Sequence, residues 1–444
     1  MTSNFARLLA LPTVLATVAL SAGAQARPPI RQLGAVHATT TDSLGTVNNV
    51  RALPGGRLLI NDATSRRVLL VDSTFKIINI VADSTSSTAN AYGPRSGSLI
   101  AFRGDSTLFV DAASLSMLVI DPAGKIGRVM SVPRSQDAMM LAAGGLGTGA
   151  YYSNGYLVYR GMPGMQMRMG ATGVPTMPSI ADTMAIVRVN LQSRAVDTVG
   201  FIKIPKTNTN MSRSDDGKIS ISIEVNPLPV VDDWVVTSSG DIALIRGKDY
   251  HVDWMSPDGT HRSSPKMAFD WKRLSDEQKV ALIDSVKAIR DRAAAANPGQ
   301  GNAMAAAFGA ALGTGGAAGG AAPTMVMRFE TSGAAGGRPG GGAAPQIMAP
   351  QINYVSPTEL PDYQPAFFAT SAKADDDGNI WVRTIPTKPI AGGAVYDVIN
   401  ANGEVVDRVQ IPENRTIVGF GPGGVVILAA RDGVTTKLER ARAK

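Results

Sequence analysis

Four arginines and two aspartates occur at the same point of a repeated sequence unit, the end of its second predicted strand. In chain order they are Asp62, Asp111, Arg160, Arg246, Arg383 and Arg431. A guanidinium group presents a planar fork of N–H donors that matches a carboxylate or phosphate in bidentate geometry. If the units stand around one axis, these side chains form a charged ring at a channel mouth. We therefore predict a site for a small anionic ligand there, against the alternative that strand ends simply bring charged side chains to water.

A group of methionines offers a second chemistry. Met162, Met165, Met167 and Met169 lie close together in the segment GMPGMQMRMG. Closely spaced thioethers suit the soft ion Cu(I), so these residues are weak candidates for a metal site. No histidine stands near them, and the alternative is a glycine-rich loop in which methionine has no role. Apart from this candidate we expect no cofactor.

The segment DDDGN offers a third candidate. Asp375, Asp377 and Asn379 have the alternate spacing that begins a calcium-binding loop. Gly378 is misplaced for that motif, which needs glycine at its sixth position. We therefore interpret the segment as a hairpin turn.

The elements that position these side chains repeat at an offset of 49 residues. Residues 58–77 (LLINDATSRRVLLVDSTFKI) and 107–126 (TLFVDAASLSMLVIDPAGKI) align without a gap. Each unit reads strand, polar turn, strand, and its length is typical of propeller blades rather than of helical solenoids, which carry a 3.6-residue rhythm.

The pattern predicts an all-β, six-bladed β-propeller. The blades fall in residues 47–81, 99–132, 139–202, 233–260, 367–411 and 416–444. The sixth blade is one strand short. A strand from about residues 31 to 40 would complete its sheet and close the ring, which removes the open edges of the array.

An insertion interrupts the propeller between blades four and five. It begins with a helix over 271–297, with Ser275 as the cap and Val280, Ile283 and Ile289 among the apolar positions at helical spacing. A Gly- and Ala-rich segment follows, which cannot bury enough apolar surface to offset its ordering entropy. The predicted organisation is residues 27–265 for blades one to four, 266–365 for the insertion and 366–444 for blades five and six.

The first 26 residues read as a secretory signal peptide. Arg7 precedes an apolar run from Leu8 to Leu20, and A-x-A cleavage sites follow after Ala24 or Ala26. We therefore expect an exported protein, periplasmic or extracellular, with no membrane span after signal removal. The formal charge of +7 is dispersed along the chain, which disfavours nucleic acid as a partner. The chain has no cysteine, so no disulfide framework holds it.

The chain resembles the six-bladed β-propellers of bacterial secretory pathways, with an NHL-type or TolB-like pattern. The resemblance lies in LPGGRLLIND (53–62), DDDGNIWVR (375–383) and NANGEVVDRVQIP (400–412). These are turn and strand motifs, so they imply a fold and say little about activity. The chain lacks the G-x-S-x-G elbow of propeller-bearing peptidases.

Three functions remain open at this stage. The first is a module that binds a small anionic ligand or an unknown protein at the charged mouth, which we expect to act as a monomer. The second, implied by the resemblance, is a metal-dependent lactonase-like hydrolase with its site in the central channel. The third is a scaffold without a small ligand. Inward-facing acidic residues for a metal site are few in the sequence, so we favour a protein that is not an enzyme.

Overall fold

The computed structural model describes residues 27–85, 91–95, 97–142, 149–161, 168–169, 175–176, 182–206, 208–213, 219–296, 351–433 and 435–443. Six antiparallel sheets follow one another along this part of the chain. The predicted six-bladed, all-β propeller is therefore confirmed. The predicted signal peptide, the low-complexity segment from 297 to 350, and Met162, Met165 and Met167 lie outside the described residues.

Blades 1 to 3 each contain four strands, numbered here along the chain within each blade. Blade 1 consists of Val47–Ala52, Leu58–Asp62, Arg67–Val71 and Ile77–Ala82. Blade 2 consists of Ser98–Ala101, Thr107–Asp111, Ser116–Ile120 and Ile126–Ser131. Blade 3 consists of Tyr151–Ser153, Tyr156–Arg160, Thr183–Asn190 and Val196–Lys203.

Blades 4 to 6 repeat the pattern, with two contributions from the N-terminal segment. Blade 4 consists of Asp233–Val236, Ile242–Arg246, His251–Met255 and His261–Ser263. Blade 5 consists of Phe367–Ala374, Ile380–Thr384, Val395–Ile399 and Val405–Gln410. Blade 6 consists of Arg415–Gly421, Val425–Asp432, Thr435–Arg442 and, as its fourth strand, Val36–Thr39.

The N-terminal segment closes the ring as predicted, and it also adds a strand to blade 5. Val36–Thr39 pairs antiparallel with Thr435–Arg442, which completes blade 6. Before it, Ile30–Gln32 pairs in parallel with the fourth strand of blade 5 and becomes a fifth strand of that sheet. One short segment therefore joins the outer edges of two neighbouring blades.

The turns between the third and fourth strands confirm the repeat. Asp72 of blade 1 accepts the backbone N–H groups of Thr74 and Lys76 at 2.8 and 3.0 Å. Asp121 of blade 2, 49 residues later, accepts those of Ala123 and Lys125 at 2.9 and 2.8 Å. A short carboxylate that satisfies the backbone of its own turn explains why aspartate recurs at this point.

The core lies between blades, with one buried apolar cluster at each of the six blade interfaces. Representative members from the two blades at each interface are Leu59 and Phe109, Leu108 and Leu157, Val158 and Trp234, Val235 and Val382, Trp381 and Val426, and Leu58 and Ile427. Full burial of one such aliphatic side chain stabilises a fold by roughly 1.5–3 kcal/mol. Because blades 6 and 1 share a cluster like all the others, the ring is closed by packing as well as by strand pairing.

The insertion contributes a helix and part of a separate sheet. The helix Asp276–Ala296 begins with the predicted capping box, in which Ser275 and Gln278 exchange backbone and side-chain hydrogen bonds. Ile283 is buried against Leu228, Val355 and Leu360. Val280 and Ile289 are 45% and 53% exposed, so the predicted apolar face is wrong at these two positions.

A three-stranded sheet outside the blades was not predicted from the sequence. It consists of Asn208–Arg213, Ile219–Val225 and Gln351–Tyr354, with the last two strands parallel. The remaining elements are the short helix Ala138–Ala142, the two-residue strands Arg168–Met169 and Pro175–Thr176, and single 3-10 turns at Pro54–Gly56, Arg103–Asp105, Ser135–Asp137 and Pro357–Glu359. None of the described helices is long and apolar enough to cross a membrane.

Candidate functional site

The two aspartates of the predicted charged ring serve local structure. Asp62 is fully buried, forms an ion pair with Arg67 at 3.2 Å and accepts the backbone N–H of Ser65. Asp111 is buried and accepts the backbone N–H of Ala113 at 3.0 Å and the Ser114 hydroxyl at 2.6 Å. Their lone pairs are directed to the turns between the second and third strands.

The arginines of the predicted ring have different surroundings. Arg246 is held between Asp232 at 2.9 Å and Asp253 at 2.7 Å, so its charge is compensated within blade 4. Arg383 and Arg431 are half-buried, and neither forms an ion pair with any described residue. All lie at or next to the end of a second strand, which confirms the register but not the binding role. That role stays a prediction.

Arg160 lies near a buried carboxylate that the sequence analysis did not single out. Asp233 begins the first strand of blade 4, is 2% exposed, and accepts the backbone N–H groups of Trp234 at 2.9 Å and Ala372 at 2.8 Å. Desolvation raises the pKa of Asp233 to about 6, against the opposing effect of these hydrogen bonds and of Arg160. Arg160 is itself desolvated, which lowers its pKa.

A cavity of about 410 Å³ lies at the centre of the ring and is lined by the first strands of all six blades. The contributions include Arg51, Ala101, Tyr151, Val236, Lys373 and Phe420. This volume falls within the range of roughly 300–1,000 Å³ found for small-molecule sites. The cavity reaches the turns that join first and second strands. Second strands run antiparallel to first strands, so the predicted charged ring lies at the other end of the blades.

Lys373 brings a positive charge into the cavity. It lies on the first strand of blade 5 and is half-buried, and no carboxylate of the described residues is within ion-pair distance of its ammonium group. Desolvation lowers the pKa of Lys373, and Asp233 only partly offsets this effect. Because its ammonium group is desolvated and has no ion pair, an anion that enters the cavity would stabilise it.

Arg51 and Asn49 line the same cavity, and each has one buried polar atom without a partner among the described residues. Asn49 donates its amide N–H to the carbonyl of Leu99 at 2.8 Å, which fixes the orientation of the amide, and its Oδ1 has no partner among the described residues. The Nε of Arg51 is likewise buried without an acceptor there. Desolvation lowers the pKa of Arg51, opposed by Asp376 and Asp105, although a guanidinium stays charged. Buried polar atoms without partners are rare in folded proteins. Both atoms are shielded from solvent, so they lie beneath the surface of the cavity wall.

The acidic residues of the cavity do not neutralise these cations directly. Asp375 is buried and accepts the backbone N–H of Asn379 at 2.8 Å and the indole N–H of Trp381 at 2.9 Å, which builds the predicted hairpin turn. Asp376 lines the cavity and is exposed. Desolvation raises the pKa of Asp376, and the Arg51 guanidinium opposes this rise.

Aromatic side chains form other parts of the wall. Tyr151 packs edge-on against Trp234, with 5.6 Å between ring centroids, and desolvation raises its pKa. Tyr152 packs against Phe102 at 4.7 Å. The cavity therefore combines two cations with apolar and phenolic surface, a composition that suits a small organic anion.

The described residues do not test the copper hypothesis, and they contain no other candidate metal site. Among the four methionines, only Met169 is described, as the end of a two-residue strand, so the copper hypothesis stays a prediction. Within the described ranges, no group of three or more His, Cys, Asp or Glu side chains is arranged to hold a metal ion.

No family model matches this sequence, and no curated protein matches it. Solved structures share its general architecture at very low identity. A DUF4221 family member from Bacteroides vulgatus is 8% identical, with a TM-score of 0.39 over 94% of this chain and 97% of its own. Regucalcin from Agrobacterium tumefaciens, a calcium-binding protein, is 10% identical, with a TM-score of 0.37 over 94% and 98%. A gluconolactonase from Xanthomonas campestris is 10% identical, with a TM-score of 0.33 over the same shares. Similarity at this level does not bear on what the present chain binds.

Proposed function

We propose that this protein is a binding module that takes up a small organic anion in the central channel of its propeller. The observation that carries the proposal is the pair Lys373 and Arg51, two cations in one cavity without a direct ion pair to any described carboxylate. In this partly desolvated cavity, a carboxylate ligand would gain charge-assisted hydrogen bonds from both cations.

The other residues of the wall refine the fit of the ligand. The guanidinium group of Arg51 and the ammonium group of Lys373 are the donors for its anionic group. Tyr151 and Phe420 offer apolar surface to its remaining atoms. Lactate, a small carboxylate with a methyl group, meets both requirements and is a suitable probe.

The proposal includes export of the protein and a monomeric state. The apolar run and small-residue boundary at the start of the sequence support export to the periplasm or the extracellular space. We propose a monomer, because the channel of a single ring holds the complete site. A protein ligand that inserts an acidic side chain into the channel would use the same two cations.

Calorimetric titration with lactate at low ionic strength tests the proposal. Because a hydrogen bond to a charged group contributes about 1.5–3 kcal/mol, Arg51→Ala and Lys373→Ala should each weaken binding by about tenfold or more. Arg128→Ala and Lys125→Ala change exposed cations of blade 2 and should leave the affinity unchanged. Binding that survives both cavity substitutions, or that disappears in the blade 2 controls, would contradict the proposal.

A further inference from the structure

Lys373 carries the only primary amine among the described residues that line the central cavity. Its ammonium group has neither an ion pair nor a hydrogen bond to any part of the chain that the structure describes. The lysine is therefore anchored by its backbone, paired with Trp381 of the second strand, while its amine remains available inside the channel.

The surroundings of this amine make it easier to deprotonate than an exposed lysine. Desolvation lowers the pKa of Lys373, which increases the fraction of amine that keeps a free lone pair. A desolvated lysine is the usual form of an amine that acts as a nucleophile towards carbonyl groups. Arg51 in the same cavity stays charged under all conditions and can hold a carboxylate without help from the lysine.

From this arrangement, and resting on the proposed function, we infer that Lys373 captures its ligand covalently, as a reversible imine with a small 2-oxo acid. The Nζ lone pair attacks the carbonyl carbon, and a C–N bond forms. The two N–H protons of the neutral amine pass to the carbonyl oxygen, which leaves as water. The product is a C=N bond, and the exchange consumes neither oxidant nor reductant.

A hydrogen-bond donor for the departing oxygen is present in the same cavity. Tyr151 is one of the residues that line the wall, and its phenol is protonated at neutral pH, since desolvation raises its pKa further. A phenol of this kind is a weak acid, so it can donate a hydrogen bond to the oxygen while the amine supplies the protons of the departing water. Tyr151, Lys373 and Arg51 thus supply a hydrogen-bond donor, a nucleophile and a carboxylate anchor.

Reductive trapping with pyruvate tests this inference on the unaltered protein. Pyruvate is incubated with the protein, the imine is reduced with cyanoborohydride, and modified lysines are located by peptide mass spectrometry. We expect the adduct at Lys373 in clear excess over the exposed lysines Lys125 and Lys203. Lys373→Arg should lose it, and Lys125→Arg, the matched control, should keep it. The wild-type measurement needs no variant, so a folding defect cannot obscure the result.

Lactate, which lacks the carbonyl group, separates this inference from the proposed function. If lactate binds in the channel but pyruvate leaves Lys373 unmodified, covalent capture is overturned and anion binding stands. An adduct spread evenly over surface lysines also overturns capture. If lactate does not bind and no adduct forms, both proposals are overturned.

Discussion

Asp233 shows how one buried residue connects two blades. Its carboxylate receives N–H groups from its own blade 4 and, through Ala372, from blade 5. The groups that face it are Arg160 and Tyr151 from blade 3 and Lys373 from blade 5. Burial without a close ionic partner is the reason why this carboxyl group ionises late.

The raised pKa of Asp233 predicts a pH-dependent stability. The unfolded chain releases this proton near the ordinary value of 3.8, whereas the folded chain holds it up to about 6. Asp233 therefore favours the folded state at low pH, and this contribution is lost as the pH rises through that window. Relative to Asp233→Asn, the free energy of unfolding of the wild type should fall by roughly 2 kcal/mol between about pH 4 and about pH 7.

Chemical denaturation of both proteins across this pH range provides the measurement. Asp258→Asn serves as the control, because hydrogen bonds from Thr260 lower the pKa of the exposed Asp258, and its pH effect should have the opposite sign. A difference between wild type and Asp233→Asn that does not change with pH would refute the account of Asp233.

Among the strands, bulges in the first strands of three blades affect which side chains line the channel. The pairing of first with second strand shifts between Val47 and Val50 in blade 1, between Phe367 and Ala372 in blade 5, and between Ile417 and Gly419 in blade 6. These strands supply Arg51, Lys373 and Phe420. A bulge redirects the side chains that follow it, which is why bulges are frequent beside functional sites.

The bulge in blade 5 also contains strained backbone. Thr370 has a φ of +62°, a conformation that a β-branched residue adopts only when its surroundings enforce it. Asp233 accepts the N–H of Ala372 just beyond this point and so helps to hold the bulge. The strain and the buried carboxylate together fix the strand on which Lys373 lies.

These bulges explain what the sequence could and could not predict. The aspartate turns and the capping box at Ser275 depend on a few neighbouring residues, so both could be recognised locally. The side chains of a bulged strand no longer follow simple alternation, so the sequence offered no means to place Lys373 or Arg51 in the channel. A lysine before the turn DDDGN was visible, but it had no feature that distinguished it from an edge residue.

Arg27, which precedes the N-terminal strand Ile30–Gln32, contributes to stability through its contacts. Arg27 is 11% exposed on its side chain, contacts the buried Asp397 at 3.3 Å and Asp270 at 3.1 Å, and lies over the ring of Phe269. Asp397 also pairs with Arg408, so the substitution Arg27→Ala removes part of its compensation. We expect a loss of about 2 kcal/mol in the free energy of unfolding, measured by denaturant titration.

Arg188→Ala is the matched control for this substitution. Arg188 pairs with Asp197 at 3.4 Å on the surface of blade 3, where ion pairs contribute less than about 1 kcal/mol. Equal losses in the two variants would mean that the N-terminal segment contributes no more than a surface contact.

At the scale of the whole molecule, the closed ring creates the site. Six strands that begin six separate sheets meet only because blade 6 packs on blade 1 and receives its last strand from the other end of the chain. The number of blades and the closing strand followed from the repeat and from the incomplete sixth unit. The interior of the ring did not, because Arg51, Tyr151 and Lys373 come from three different repeats.

The most direct test of the anion site is anomalous diffraction from crystals soaked in sodium bromide, since bromide reports where an anion is stabilised without depending on the true ligand. We expect a bromide ion in the central cavity, in contact with Lys373 or Arg51. A cavity without bromide, with ions instead at Arg383 and Arg431 at the opposite end of the ring, would contradict it.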